Sequence, residues 1–195
     1  DLSEREKGLR RLGVLAAASH RLGTSIITIC TGTRSTESMW RRHPDNDADD
    51  AWVDLLSSME KAAQLAEAHQ VMLAFEPEVN NVVDTAVKAR RLLDEIGSPA
   101  LKVCIDGANL FHTGELPRMK EILDEAFELL GKDIVIAHAK DLSRDGDAGH
   151  EAAGTGLLDY GHYIGLLEKI GFSGSLVLHS LTEAQVPASL ACVRR

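Results

Sequence analysis

Residues 71–106 read VMLAFEPEVNNVVDTAVKARRLLDEIGSPALKVCID. The stretch opens with an apolar run of strand length, Val71–Phe75, continues through a helical pattern over residues 82–96, and closes with a second apolar run, Leu101–Ile105. Two parallel strands need a long crossover between them, usually a helix, and parallel strands are apolar because both of their faces are buried. This stretch therefore predicts a β-α-β unit with parallel strands.

The same unit repeats on both sides of this stretch. Strand-length apolar runs are also found at 25–30, 134–137 and 176–178, and helical patterns at 3–22, 50–69, 116–130, 160–170 and from Glu183 onwards. Five strands alternating with helices predict an α/β fold, with a parallel sheet covered by helices. No Gly-x-Gly-x-x-Gly and no Walker loop follows a strand, which argues against a dinucleotide-binding or P-loop fold. Without an obvious linker, residues 1–195 are expected to form a single domain.

The composition narrows the classes of partner. The formal net charge is −9 with no block of Lys and Arg, so a nucleic acid is not an expected partner. No apolar run reaches the roughly 20 residues needed to cross a bilayer, and no signal peptide opens the chain, so we expect no membrane association. The three cysteines are widely spaced and lie mostly in apolar runs, which is typical of buried thiols in a reducing compartment. A cytoplasmic location is the corresponding expectation.

Four successive strands end in a side chain that can bind a metal ion: Glu76, Asp106, His138 and His179. Each is separated from the next by about one β-α-β repeat, roughly 30 residues or more. The carboxyl ends of parallel strands share one rim, so these side chains should converge on a single site. Two carboxylates and two imidazoles suit Mn²⁺, Co²⁺, Fe²⁺ or Zn²⁺. The alternative for each acidic residue is a simple helix cap.

These motifs resemble the sugar phosphate isomerase/epimerase family, the xylose isomerase-like TIM barrels. The resemblance covers nearly the whole chain and is carried by four short motifs in this order: Phe75-Glu-Pro77, Cys104-Ile-Asp-Gly107, His138-Ala-Lys-Asp141 and Gly154-Thr-Gly156. It implies a (β/α)8 barrel of which the chain carries strands 4 to 8 and lacks the first three. An open barrel of this kind exposes an apolar edge, so a homo-oligomer is possible.

The resemblance also implies a ligand set. In this family Glu, Asp, His and Glu at the ends of the fifth to eighth strands hold a divalent metal ion, and the first three positions correspond to Glu76, Asp106 and His138. The fourth position is His179 in this chain, and the position where the family's epimerases often have a histidine is Asn109. Family members use two glutamates on opposite faces of the sugar for proton transfer, so His179 puts that route to epimerisation in question. Mn²⁺ is the favoured cofactor, with Co²⁺, Zn²⁺ or Mg²⁺ as alternatives.

Other residues are candidates for contact with substrate. Lys140, two residues after His138, could stabilise a negatively charged sugar oxygen, or it could simply face solvent. His150 lies in a glycine-rich loop that could cover the site as a lid or bind a phosphate group through its backbone N–H groups. The remaining candidates share the loop after the first strand of this chain and are Arg41, Arg42 and His43. An ordinary surface loop is the alternative for that segment.

The sequence thus predicts a metal-dependent isomerase or epimerase of a small sugar or a sugar-derived hydroxy-carbonyl compound, acting through an enediolate. Glu76 is the expected ligand and base, and His179 a ligand or an opposing acid/base. Two alternatives remain open: a metal-dependent hydrolase or endonuclease of the same superfamily, which the net charge disfavours, and a sugar-binding barrel without catalysis.

Overall fold

A computed structural model describes residues 2–194 of the chain. Strands and helices alternate along it, in this order: α1 (Leu2–Ser19), β1 (Ile26–Cys30), α2 (Asp49–His69), β2 (Met72–Glu76), α3 (Ala86–Ile96), β3 (Leu101–Asp106), α4 (Met119–Leu130), β4 (Ile134–Asp141), β5 (Glu151–Ala152), α5 (Tyr160–Lys169), β6 (Ser175–Leu178) and α6 (Val186–Val193). Within these residues no helix is long and apolar enough to span a membrane.

Five of the strands form a parallel sheet in the order β1-β2-β3-β4-β6. The short β5 pairs antiparallel with the end of β4, Lys140 opposite Ala152, and was not predicted. Cys30 lies opposite Glu76, and Asp106 lies opposite His138. This register brings the carboxyl ends of the strands to one rim, as the sequence predicts.

The two faces of the sheet differ in chemistry because successive side chains of a strand point to opposite faces. Leu73 and Phe75 of β2 and Val103 and Ile105 of β3 belong to the buried cluster that packs with the helices. Glu76 and Asp106 alternate with these apolar residues and therefore point to the other face. One face forms the hydrophobic core, and the opposite face carries the polar groups at the rim.

Two predicted element boundaries are wrong. The third helix begins at Ala86, not Val82, with the Thr85 hydroxyl accepting a hydrogen bond from the Lys88 N–H. The preceding segment is held out of the helix by long-range contacts: Val83 N–H donates to the Thr31 hydroxyl, and the Asn81 side chain accepts from Gly32 N–H. The fourth strand extends to Asp141 and does not end at His138, because pairing with β5 prolongs it.

Tyr163 of α5 ties two strands together beneath the rim. Its hydroxyl lies within hydrogen-bonding distance of the carbonyl oxygens of Ile105, at 3.1 Å, and His138, at 3.0 Å, and shares its one proton between them. The side chain is fully buried, and its ring stacks edge-on against Phe127 with 5.8 Å between centroids. One hydroxyl therefore fixes the spacing of β3 and β4 close to two predicted site residues.

We expect Tyr163→Phe to lower the free energy of unfolding by about 1–2 kcal/mol, because two buried carbonyl oxygens lose a donor while the ring packing is kept. Urea denaturation monitored by circular dichroism measures this. Val87→Ala, at an exposed position of α3, is the control and should change stability by no more than about 0.5 kcal/mol. A Tyr163→Phe variant as stable as the parent would contradict the assigned role of the hydroxyl.

Candidate metal centre and its cavity

The four predicted strand-end residues lie side by side in the structure. His138 Nδ1 is 3.4 Å from Glu76 Oε2 and 3.7 Å from Asp106 Oδ2. His179 Nε2 is 3.4 Å from the same Asp106 oxygen, and the two imidazole rings are 4.4 Å apart in an edge-to-face arrangement. The spatial convergence predicted from the strand ends is therefore present.

Three of the atoms at this junction are buried and have no hydrogen-bond partner of acceptable geometry within residues 2–194: Asp106 Oδ2, His138 Nδ1 and His179 Nε2. Unsatisfied buried polar atoms are rare because each loses its hydration without compensation. Two atoms that each lie about 2.1 Å from one ion are themselves separated by roughly 3.0–3.5 Å. The separation of His179 Nε2 from Asp106 Oδ2, 3.4 Å, lies in this range, and that of His138 Nδ1 from the same oxygen, 3.7 Å, lies slightly above it. After a small contraction, this mixed O/N donor set would suit a divalent cation.

Each carboxylate has one oxygen held by the protein and one directed at the histidines. Asp106 Oδ1 accepts a hydrogen bond from Ala108 N–H at 2.9 Å, and Glu76 Oε1 accepts one from the Asn109 side-chain amide. Burial alone would raise the pKa of Asp106, but His179, the Lys140 cation and the Ala108 N–H together hold this pKa below its usual value. Asp106 is therefore an anion at neutral pH, as a metal ligand has to be.

Lys140 is buried beside these carboxylates. Its Nζ lies 3.4 Å from Asp106 Oδ2 and 4.0 Å from Glu76 Oε1. Burial lowers the pKa of Lys140, but the charges of Asp106, Glu76 and Glu78 outweigh this and raise the pKa above its usual value. The side chain is thus a permanent buried cation, and a solvent-facing lysine, the alternative from the sequence, is excluded.

A cavity of about 900 Å³ opens above this cluster, a size typical of small-molecule sites. Four predicted site residues contribute to its wall: Glu76, His138, Lys140 and His179. His150, a fifth predicted site residue, also lines it. The rest of the lining is a mixture of polar and apolar side chains that includes Thr28, Cys30, Met39, Trp40, Glu78, Asn80, Asp147 and Ser180.

The structure does not place Arg41, Arg42 or His43 in this lining. Arg41 pairs with Glu37 at the surface, and Arg42 donates to the buried Asp84 at 2.7 Å. His43 accepts a hydrogen bond from Asp45 N–H through Nδ1 and so caps the short turn that follows. The loop nevertheless reaches the cavity, because its neighbouring residues Met39 and Trp40 line the mouth.

Glu78 is a cavity residue that sequence reasoning missed. Its side chain is buried, and Oε1 has no hydrogen-bond partner among the described residues. Burial and the charge of Glu76 raise the pKa of Glu78 to about 7. The available signal was its position two residues after Glu76, since that spacing returns a side chain to the same face of an extended segment.

Cys104 is a second group that was overlooked. Its Sγ lies 3.3 Å from His138 Nε2, on the opposite side of the ring from the carboxylates. When the Cys104 sulfur accepts a hydrogen bond from Nε2–H, the ring is in the tautomer whose Nδ1 has a free lone pair. This is the form needed to bind a cation. Burial and the nearby carboxylates raise the pKa of the Cys104 thiol well above its usual value, so the sulfur stays protonated.

If these side chains bind a divalent ion, Asp106→Asn combined with His138→Ala should abolish binding, because two ligands are lost and the geometry of the others with them. Elemental analysis and titration with Mn²⁺ measure this. The matched control is Asp124→Asn with His162→Ala, which removes an Asp–His pair 2.9 Å apart at the surface. Equal metal content in both double variants would contradict the site.

We also expect Mn²⁺ affinity to fall as the pH is lowered. Burial lowers the pKa of His138, but Glu76 and Asp106 outweigh it and raise this pKa above its usual value, so a proton competes with the metal ion for Nδ1 as the pH falls. One competing proton weakens binding by about tenfold per pH unit below that pKa. Calorimetric titrations between pH 5 and 8 test this, and an affinity independent of pH would exclude His138 as a ligand.

The sequence and the fold of this chain can be compared with those of known proteins. The sequence pattern of the xylose isomerase-like TIM barrels matches residues 1–195. No curated protein sequence matches the chain. Several solved structures have the same fold. A xylose isomerase domain protein from Planctomyces limnophilus has a TM-score of 0.72 at 19% identity, with 100% of this chain and 67% of that chain covered.

Two further structures are similar at the same level. A D-tagatose 3-epimerase-like protein has a TM-score of 0.74 at 12% identity, covering 100% of this chain and 72% of its own. The 3-keto-D-glucoside 4-epimerase from E. coli has a TM-score of 0.72 at 17% identity, covering 100% and 73%. The fold expected from the resemblance is confirmed as a partial barrel, and the chain belongs to the xylose isomerase-like TIM barrel family.

Proposed function

We propose that this protein is a divalent-metal-dependent isomerase or epimerase of a small sugar or a sugar-derived hydroxy-carbonyl compound. The observation that carries the proposal is the set of three buried polar atoms without hydrogen-bond partners among residues 2–194, on Asp106, His138 and His179. The two histidines and Glu76 line the adjoining cavity. Several solved structures with the same fold are sugar epimerases, which supports this choice of reaction class.

Glu76 is the side chain proposed to move the proton. One of its oxygens is fixed by Asn109, and the other lies beside His138 at the cavity wall. A carboxylate held in this way can take a proton from a carbon next to a carbonyl group and return it. A bound divalent ion, with Mn²⁺ favoured and Co²⁺, Zn²⁺ or Mg²⁺ as alternatives, would act as a Lewis acid on the substrate oxygens.

Lys140 and His179 are proposed to assist from two sides. The buried ammonium group of Lys140 is a fixed positive charge in the cavity wall, suited to stabilise the negative oxygen of an enediolate. His179 lies across the cluster from Glu76 and would serve as a ligand, or as the acid/base on the second face of the sugar. His150 at the rim would contact the substrate.

The charges of the cavity disfavour the endonuclease alternative. Glu76, Glu78 and Asp147 contribute carboxylates to the wall, and neither arginine of the nearby loop, Arg41 or Arg42, reaches it. A phosphate backbone requires a positive surface. A small uncharged polyhydroxy compound matches this lining better.

The proposal predicts that the protein, loaded with Mn²⁺ in D₂O, washes deuterium into the carbon next to the carbonyl group of a sugar. Glu76→Gln should slow this exchange by about 10²–10⁴-fold, since general-base catalysis contributes that much. Glu67→Gln, at an exposed position on α2, is the control and should leave the rate unchanged. Proton NMR over a panel of ketoses and aldoses follows the exchange.

Two outcomes would redirect the assignment. If no sugar of the panel shows exchange with Mn²⁺ bound, the isomerase assignment would be abandoned in favour of a sugar-binding barrel without catalysis. Exchange that persists in Glu76→Gln would move the base to another cavity carboxyl. His179→Glu restores the ligand set of the family and is expected to retain Mn²⁺.

A further inference from the structure

Asn109 occupies the position where family epimerases often have a histidine, and its side chain is fully buried. Its Oδ1 accepts a hydrogen bond from Gly149 N–H at 2.9 Å, and its Nδ2 donates to Glu76 Oε1. A backbone N–H can only donate, so the amide atom facing Gly149 must be the oxygen. The amide nitrogen is therefore directed at Glu76, and the orientation of the side chain is fixed from both ends.

This contact gives the two carboxylate oxygens of Glu76 different partners. Oε1 is held by Asn109, which leaves Oε2 beside His138 Nδ1 at 3.4 Å. Without the amide, the carboxylate would be free to rotate towards the Lys140 ammonium, 4.0 Å from Oε1. The main chain of Asn109 also accepts a hydrogen bond from Val79 N–H at 3.0 Å, so the segment after Glu76 is anchored to the same residue.

The other end of the bridge is the cavity loop, residues 142–150. Ala148, Gly149 and His150 of this loop line the cavity. A Cβ atom at Gly149 would lie 2.5 Å from the Ala108 Cβ and 2.6 Å from the Asp141 carbonyl oxygen. Only a glycine lets the loop backbone come close enough to donate to Asn109.

We propose that Asn109 is a positioning residue that holds the Glu76 carboxylate with Oε2 beside His138. Through its hydrogen bond with Gly149, it also makes this orientation depend on the cavity loop being packed in the position observed here. The inference rests on the proposed function, in which Glu76, an expected metal ligand from the sequence, moves the proton. When the loop is packed in this position, Gly149 N–H is hydrogen-bonded to the Asn109 amide oxygen, and the amide nitrogen is kept pointing at Glu76. A loop that lifts away frees the amide to turn, and Glu76 loses its partner.

Asn46 supplies a matched control elsewhere in the chain. Its Oδ1 accepts from Arg34 N–H at 2.7 Å, and its Nδ2 donates to the Asn80 carbonyl oxygen at 3.0 Å. It is also a buried asparagine that bridges two loops, but it contacts no proposed metal ligand. Replacing it removes the same kind of bridge without touching Glu76.

The test compares Asn109→Ala, Asn109→Asp, Gly149→Ala and Asn46→Ala in the whole protein. Three quantities are measured: the kcat and KM of deuterium exchange, the Kd for Mn²⁺, and the rate of tryptic cleavage after Arg144, an exposed residue of the cavity loop. Circular dichroism and thermal unfolding verify that each variant is folded.

We expect Asn109→Ala to lower kcat or Mn²⁺ affinity by about 10–100-fold, as is usual for partners that orient metal ligands, and to speed cleavage after Arg144. Asn109→Asp can still accept from Gly149, but it sets a second carboxyl group against Glu76, which either repels the Glu76 carboxylate or shares one proton with it. It should therefore lose activity and keep the loop protected. Gly149→Ala should lower kcat although it does not contact Glu76. Asn46→Ala should leave kcat and Kd unchanged.

Values of kcat and Kd within twofold of the parent in both Asn109 variants would overturn the inference. Faster loop cleavage with unchanged exchange and metal binding would also overturn it, since Asn109 would then be merely structural. If Asn109→Ala does not fold, Asn109→Asp carries the same test with almost no change of shape. If the parent shows no exchange, the proposed reaction fails, while Mn²⁺ affinity and loop cleavage still decide the role of Asn109.

Discussion

The rim of this barrel depends on the compensation of buried charges in the wall of the cavity. Asp106 has no exposed surface, and Glu76 and Lys140 are nearly as deeply buried. An isolated charge in such a place would cost several kcal/mol, and a buried pair is tolerable only when further hydrogen bonds satisfy it. Lys140 compensates part of the negative charge, yet the three proposed ligand atoms have no hydrogen-bond partner in the described part of the chain. A divalent cation is the kind of group that completes this balance.

The scaffold supplies that wall through simple geometry. Alternation along β2, β3 and β4 sends apolar side chains to the helices and polar ones to the rim, and the parallel register keeps the strand ends level. Tyr163 links β3 to β4 from the core side through two carbonyl oxygens. The core and the candidate site are thus opposite faces of the same strands, so we expect a change in packing behind the sheet to alter the spacing of the proposed ligands in front of it.

The sequence predicted what depends on local periodicity and missed what depends on contacts distant along the chain. Strands, helices and the convergence of Glu76, Asp106, His138 and His179 follow from spacing alone. The buried environment of Glu78 and the bridge made by Asn109 arise from loops that meet only in the folded chain. Arg42 was predicted to contact the substrate, but its guanidinium group pairs with the buried Asp84. No local sequence pattern indicates that partner.

Gly149 and Gly156 let the segment after β4 run close against its neighbours. A Cβ atom at Gly156 would come within 2.3 Å of the Leu142 carbonyl oxygen, and the Asp141 carboxylate accepts hydrogen bonds from the N–H groups of Leu142, Gly154 and Leu158. The path of this segment is therefore set by its main chain and a few fixed positions. An exposed side chain such as His150 takes no part in these contacts, so a substitution there can reshape the rim of the cavity while the barrel beneath stays unchanged.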